Sequence, residues 1–517
     1  MKVLRAVAIP LMLATGLVWA QPAPPASPES PNPDQKADQF HQQIVDKANA
    51  SVSRAKARVA KDPNRPIYHL QPPALWNNDP NGPIFYKGTY HLFYQHNPYG
   101  DDWGHMHWGH FKSQDLAHWQ HMPIALAPSE DLGEEHCFSG CATVTKKGQV
   151  MLIYTSIGKR LPEQWSAVPE DDELSRWKKH PANPILTEKL HGATEVHEWR
   201  DPFVFLHEGR QYLVTGGNLN ASKGGQAVVN VYRAENEALT EWKYLGVLFQ
   251  HPDAKVKNIE CPNFFKLGDK WVLIVSQAQP VQYFVGSLDP ERMRFKAEKR
   301  GVMDYGNYYA PNCKEDGKGR RVLWGWVKDF PPGRGWNGCL TLPRILTLTP
   351  DGQLLQQPAP ELQNLRNTKA GNPLTPEWRV TDLQLTDSSK VLENIQGDAL
   401  EILARFDPGD AKSCGIKIRR FADGRRAVAI TYDGKQLDVA GMQMPLVLSP
   451  ENRTLELHIF ADHSVVEVYA NPGLCLTRVI DAGPGDVGVE VFSKGGSCKL
   501  QSLDAWPMKS MWVNESQ

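Results

Sequence analysis

From Pro66 onward the chain breaks into short apolar runs, each closed by Gly, Asn, Asp or Pro: "PIFYKGTYHLFYQ", "QVMLIYTSI", "PFVFLHEGRQYLVTGG", "KWVLIVSQ" and "RRVLWGWV". Several carry a hairpin turn of their own, such as Tyr86-Lys87-Gly88-Thr89. Many short, evenly spaced strands predict an all-β fold of propeller or barrel type, although no sequence repeat is strict enough to count its units. A second β region follows "LLQQPAPELQNLR" and includes "DALEILARF", "CGIKIRRF", "TLELHIFAD", "SVVEVYA" and "DVGVEVFS". The alternation in "LELHIF" and "SVVEVYA" predicts sandwich strands with one face in water. With 517 residues the chain is too long for one small core, and the expected division is a first β domain over 67–355, a linker over 356–376 and a second domain over 377–517.

The N-terminus has a different texture. Lys2 and Arg5 precede the apolar run Ala6–Ala20, which predicts a signal peptide over 1–20, cleaved after Ala20. The run is too short to span a bilayer and no later stretch is long enough, so a secreted or periplasmic protein with no membrane partner is expected. Residues 21–66 read as a Pro/Ser-rich spacer, "QPAPPASPESPNP", and a short helix entered at Asn32-Pro33, with Phe40, Ile44, Ala48 and Val52 on one face. A net charge of -1 gives no reason to expect a nucleic acid partner. Eight cysteines in so long a chain are not a disulfide framework. Cys137 and Cys141 would lie about 13 Å apart on one strand, against the roughly 7 Å between Cα atoms that a disulfide requires. Scattered buried thiols are expected.

Three segments share one construction, a carboxylate beside or one residue from a proline at the entry to a strand: "WNNDPNG" with Asp79, "EWRDPFVF" with Asp201 and "NIECPNFF" with Glu260. Each alone reads as turn chemistry. Together they suit an all-β protein whose separate strands aim carboxylates into one funnel, as a glycosidase needs. The histidines of "HMHWGH" and "HWQH" invite a metal reading, but strand alternation puts His105 and His107 on one face and His110 on the other, so packing and hydrogen bonding are expected and no metal is assigned.

"WNNDPNG", "WRDP" and "ECP", in that order, resemble the three signature motifs of glycoside hydrolase family 32. "FYQHNP", "HWGH", "CFSG", "RRVLWGW", "GWNGCLTLPR" and "FADHSVVEVYAN" add to the likeness, which covers about residues 67–517. The resemblance implies a five-bladed β-propeller followed by a C-terminal β-sandwich, acting on fructosides such as sucrose, inulin or levan with no cofactor. It also implies Asp79 as nucleophile, Glu260 as general acid/base and Asp201 as transition-state stabiliser beside Arg200. Trp76, Asn78, Gln95, Trp103, Phe138 and Ser139 would shape the fructosyl pocket. Trp336 would join them, with packing between blades as its alternative.

One segment departs from the commoner family pattern: "DYGNYYAP" lacks its second carboxylate, leaving Asp304 to line the site. Asn77 also stands where Met is frequent. In the mechanism the resemblance implies, ionised Asp79 attacks while Glu260 holds a proton that the nearby charge helps it keep. An exported exo-acting β-fructosidase is the leading expectation. A fructosyltransferase shares the same intermediate, and a non-catalytic fructan-binding protein would not need a nucleophile–acid pair.

Overall fold

The structure, a computed structural model, describes residues 33–277, 280–471 and 473–513; the predicted signal peptide and residues 21–32 of the spacer lie outside the described residues. Five sheets of four or five strands follow one another from Leu75 to Pro358. Each begins with an inner strand: Leu75–Tyr86, Glu134–Val144, Val196–His207, Glu260–Leu267 and Tyr308–Glu315. Each inner strand packs on the next and the last packs on the first, which closes a ring and makes the assembly a β-propeller. The closure is tied by chain from beyond the fifth inner strand. Trp336–Asn337 pairs in parallel with Leu75 and Trp76, and Leu340 bridges Leu70.

Local sequence accounts for the strand turns. Lys87 and Gly88 both take positive φ, 47° and 83°, so the tight hairpin twists with its strands. The outermost strands of the first three sheets share an entry that was not recognised in the sequence as a repeat. Leu116, Leu174 and Leu239 adopt left-handed φ, and the indole N–H of Trp119, Trp177 and Trp242 donates back to their carbonyls at 2.9, 3.0 and 2.9 Å. "DLAHW", "ELSRW" and "ALTEW" are thus one motif used three times. Between sheets the core is aromatic: Phe205 packs edge-on against Phe264 and Trp271, joining the third sheet to the fourth.

The C-terminal region is a sandwich of two six-stranded sheets around a core that includes Ile402, Ile416, Ile430, Leu457, Val468 and Leu503. The expectation of one wet face fails for Val465–Ala470, where every residue is buried. The reason is the propeller, which covers the outer side of that strand.

The contact between the two domains carries a buried charge network. His69 lies between Asp462 and Glu467 at 2.8 and 3.1 Å, Glu467 accepts from Arg344 at 2.7 Å, and Arg344 reaches Asp304 at 2.9 Å. Burial works against a charged His69, but its hydrogen bonds to the two carboxylates, and their charges, raise it to about 9. Burial likewise opposes the charge on Glu467, and Arg344 and His69 overcome it, holding Glu467 at about 2. Gly306 sits so close to the sandwich that a Cβ there would meet the Thr477 carbonyl oxygen at 1.8 Å.

The segment expected as a linker is structured. Leu354–Pro358 is the last strand of the fifth sheet and Pro360–Leu365 is a 3-10 helix. Arg366 then holds Glu401 through two hydrogen bonds of 2.7 and 2.6 Å, its guanidinium 3.7 Å over the Trp506 ring. The N-terminal helix, Pro33–Val59, has 27 residues rather than being short. Its buried stripe is His41, Val45, Ala48, Val52, Ala55 and Val59; Phe40, expected on that face, is exposed and Ile44 only partly covered. The shift follows from the surface it meets, a cluster of Leu75, Ile124, Phe330 and Trp336 that favours the small and β-branched residues.

Arg344→Met should leave Asp304 buried without a cation and Glu467 with His69 alone, at a cost of about 3–5 kcal/mol. A lowered Tm, or a lowered urea midpoint, is the expected measurement.

Candidate active site

All five inner strands are bulged at the same level. In each sheet two residues stand against one: Asn78-Asp79 against Gln95, Phe138-Ser139 against Thr155, Asp201-Pro202 against Thr215, Cys261-Pro262 against Val275, and Ala310-Pro311 against Gly325. A bulge bends its strand and re-aims the side chains on it. Proline suits it, because no ladder hydrogen bond is asked of its missing N–H. Asp201, Cys261 and Ala310 take positive φ of 61°, 46° and 46° immediately before their prolines. For non-glycine residues this is strain of order 1 kcal/mol or more each. In the second strand Gly140 stands in the proline's place, since a Cβ there would meet the Ile153 carbonyl oxygen at 2.1 Å.

The bulges bring Asp79, Ser139, Asp201, Cys261 and Ala310 to equivalent positions. The residues just before them, Asn78, Phe138, Arg200, Glu260 and Tyr309, form a second set. Within the first set, Asp79 Oδ2 accepts from Ser139 Oγ at 2.5 Å and from Cys261 Sγ at 3.5 Å, and Asp201 Oδ2 accepts from the Cys261 N–H at 2.9 Å. Asp79 Oδ1 accepts from Asn78 Nδ2 at 3.0 Å, and Asn78 in turn accepts from the Trp76 indole at 2.8 Å. In the second set, Glu260 takes one hydrogen bond on each oxygen, from Arg200 at 2.5 Å and from the Tyr309 hydroxyl at 2.7 Å. Three carboxylates from three sheets therefore converge on one recess, each held by neighbouring inner strands.

Their electrostatics differ. Burial raises Asp79 above the ordinary carboxylate range, while the hydrogen bonds from Ser139 and Asn78 pull it back. Burial raises Asp201 more, to about 7; Arg200 opposes the rise and the charges of Glu260 and Asp79 add to it. Beneath them the strands nearly meet. The space bordered by Pro80, Ser139, Asp201, Cys261 and Asn312 is about 10 Å³, room for roughly one water at most. The recess is closed at its floor.

Most of the expected site residues come together here. Asp79, Asp201, Glu260, Trp76, Asn78, Ser139 and Arg200 are joined by the hydrogen bonds above. Phe138 and Trp103 stand at the rim with rings 6.0 Å apart, Trp103 being 52% exposed. Gln95 is buried, and its amide donates to the Cys137 carbonyl at 2.9 Å, bracing the first sheet against the second. Two expectations fail. Asp304 is not in the recess: it is buried at the domain interface, where Arg344, Thr477 and the Gly306 N–H satisfy its oxygens. The chain after it crosses to the sandwich, and a buried carboxylate stays where hydrogen-bond donors surround it. Trp336 is 1% exposed and donates to Asp62 at 2.7 Å, so it packs between the ring and the N-terminal helix instead of facing a ligand.

Sequence reasoning missed Tyr309, Cys261 and Trp326. The last is partly exposed and packs edge-on against Trp76, with 5.8 Å between ring centres. An alignment of the five x-Pro or Ser-Gly bulges would have found the first two. Among the described residues no group of three or more His, Cys, Asp or Glu is placed to hold a metal ion. In the histidine-rich stretch His110 pairs with His91 at 3.0 Å and stacks on Phe93, and His121 stacks on Trp512. All eight cysteines are free thiols.

Raising Asp201 to about 7 in the folded state, against an ordinary value of 3.8, has a stability consequence. The folded protein binds this proton more tightly than the unfolded chain, so the contribution is favourable at low pH and is lost as pH rises through 7. Asp201→Asn should therefore gain Tm relative to the parent as pH increases from 5 to 8, which thermal denaturation across that range will measure.

Comparison with known proteins agrees with this geometry. Residues 69–358 match the glycosyl hydrolases family 32 N-terminal domain, and residues 361–507 match the C-terminal domain of the same family. The chain is 30% identical to a levanase of Bacillus subtilis (strain 168), over 89% of this chain and 73% of that protein. It is 34% identical to a sucrose-6-phosphate hydrolase of the same organism, over 84% and 92%. Among solved structures, fructan 1-exohydrolase IIa from Cichorium intybus superposes with a TM-score of 0.78 at 25% identity, covering 87% of this chain and 99% of that one. Two family domains, contiguous and in order, cover nearly all of the described chain: it belongs to glycosyl hydrolase family 32 and is a glycoside hydrolase.

Proposed function

We propose that this protein is an exported, retaining, exo-acting β-fructosidase that removes terminal fructosyl units from sucrose or fructans. The observation that carries the reading is the convergence of Asp79, Asp201 and Glu260 in one recess with a closed floor. Relatives named levanase and sucrose-6-phosphate hydrolase support the substrate class, and the basic and apolar N-terminus supports export.

The site's chemistry follows from its hydrogen bonds. Asp79 is the nucleophile: Asn78, Ser139 and Cys261 hold its carboxylate before substrate arrives, which spares reorganisation at the moment of attack. Glu260 protonates the leaving oxygen as Asp79 forms a fructosyl ester, and then takes a proton from the water that cleaves it. Arg200 and Tyr309 keep Glu260 oriented through both half-reactions. Asp201, locked by the Cys261 N–H, accepts from sugar hydroxyls as charge develops on the ring. The closed floor admits one terminal residue, while Trp103 and Phe138 at the rim offer flat faces to the leaving sugar.

Asp79→Asn and Glu260→Gln should each lower kcat by about 10³-fold or more without loss of fold by circular dichroism; near-normal turnover would sink the assignment. Proton NMR of early products with methanol as acceptor should give methyl fructoside of unchanged anomeric configuration. Chromatography of early inulin or levan digests should show free fructose rather than new oligosaccharides. Ser139→Ala removes a hydrogen bond that favours ionised Asp79, so Asp79 should become harder to ionise and the acid limb of kcat/KM should move to higher pH.

A further inference from the structure

Away from the recess, two thiols meet at one corner of the sandwich. Cys414 lies on the strand Ser413–Arg420 of one sheet, opposite Ser493 of the strand Gly488–Lys494. Cys498 lies on Ser497–Pro507 of the other sheet, and its Sγ sits 3.8 Å from the carbonyl oxygen of Phe492, the residue before Ser493. Gly495 and Gly496 make the corner that turns one strand back onto the other sheet, both with positive φ. Both thiols are 1% exposed and face the core between the sheets, within hydrogen-bond reach of each other. A cavity of about 570 Å³, bordered by Tyr432 and Arg453, opens from outside onto Cys414. Four of the other six thiols lie beside charged groups: Cys261 contacts the site carboxylates, Cys137 lies by Lys179, and Cys141 and Cys313 flank Lys314.

We propose that Cys414 and Cys498 are a disulfide site that joins the two sheets of the sandwich under oxidising conditions. Cys414, the thiol that borders the cavity, exchanges first. The hydrogen bond between the two thiols favours the ionised form of Cys498 and disfavours that of Cys414. With a small disulfide such as oxidised glutathione, Cys414 loses its proton, displaces one glutathione thiolate and forms a mixed disulfide. The Cys498 thiolate then attacks the Cys414 sulfur and releases the second glutathione. Two protein thiols become one disulfide, one glutathione disulfide becomes two thiols, and the electrons balance. The bond would close a long loop of the chain, the case in which a cross-link restricts the unfolded state most.

The biological use of the bond rests on the export reading, but its chemistry does not, so the test is done in vitro. The full chain, purified reduced, is incubated with oxidised and reduced glutathione, blocked with an alkylating agent under denaturing conditions, and digested without reductant. Mass spectrometry should find the peptides of Cys414 and Cys498 linked in most molecules, and the oxidised protein should melt roughly 5 °C or more above the reduced one. Cys414→Ser and Cys498→Ala should each abolish that difference while leaving kcat on sucrose unchanged. Two alkylated thiols, or a persistent glutathione adduct on either cysteine, would overturn the proposal. A linked protein with unchanged Tm would overturn its stabilising role. Mapping in the unsubstituted chain decides the matter even if a variant fails to fold.

Discussion

A ring of strands can aim side chains at its axis only if its strands bend there, and this protein bends all five at one level. Without the bulges, strict alternation would send successive residues to opposite faces, and Asn78 and Asp79, or Arg200 and Asp201, could not both serve one recess. The extra residue in each strand lifts that limit. It places two side chains per sheet toward the same space and leaves the turn to proline or glycine, which ask nothing of the ladder. Left-handed Asp201, Cys261 and Ala310 are the local cost, offset by the packing of the sheets around them.

The site is rigid because its supports are shared between sheets. Ser139 of the second sheet holds Asp79 of the first, Cys261 of the fourth holds Asp201 of the third, and Tyr309 of the fifth holds Glu260 of the fourth. Farther down, Asn263 donates to the Pro311 carbonyl, tying the fourth inner strand to the fifth, and Asn312 donates to that of Gly140, tying the fifth to the second. Chain outside the ring contributes too. Trp336 is held by Asp62 next to the strand that carries Trp76, and the N-terminal helix covers that junction.

The sandwich touches this arrangement through the buried network of His69, Asp462, Glu467, Arg344 and Asp304. Every charge in it has a partner of opposite sign and hydrogen bonds besides, the condition under which ionised groups tolerate burial. Leu342, whose N–H donates to Glu467 at 2.7 Å, is two residues from Arg344 and close to the segment that ties the ring shut. Docking of the second domain and closure of the first are thus parts of one structure. The motif "FADHSVVEVYAN" looked like a family signature in the sequence; its Asp462 and Glu467 have a structural task.

How much was legible in the chain depended on range. Alternation, turn residues and the Asp-Pro, Arg-Asp-Pro and Glu-Cys-Pro segments are local, and from them came the all-β fold, two β regions and the three carboxylates. The family resemblance put Asp304 in the recess, whereas Arg344 and Thr477, distant in sequence, surround it at the domain interface. It also offered Trp336 to the site, with packing between blades as the alternative; the helix and Asp62 hold that side chain away from the recess. The local view missed Tyr309 because a tyrosine in a strand signals only core or surface until Glu260 stands 2.7 Å from its hydroxyl. By itself the sequence determined which residues enter strands, where each strand bends and which carboxylates lie at the bends, since these follow from neighbours one to four positions away. Only the tertiary structure decided which of those groups face one another, because partners for a buried charge are chosen by ring closure and domain docking, over separations that no local pattern records.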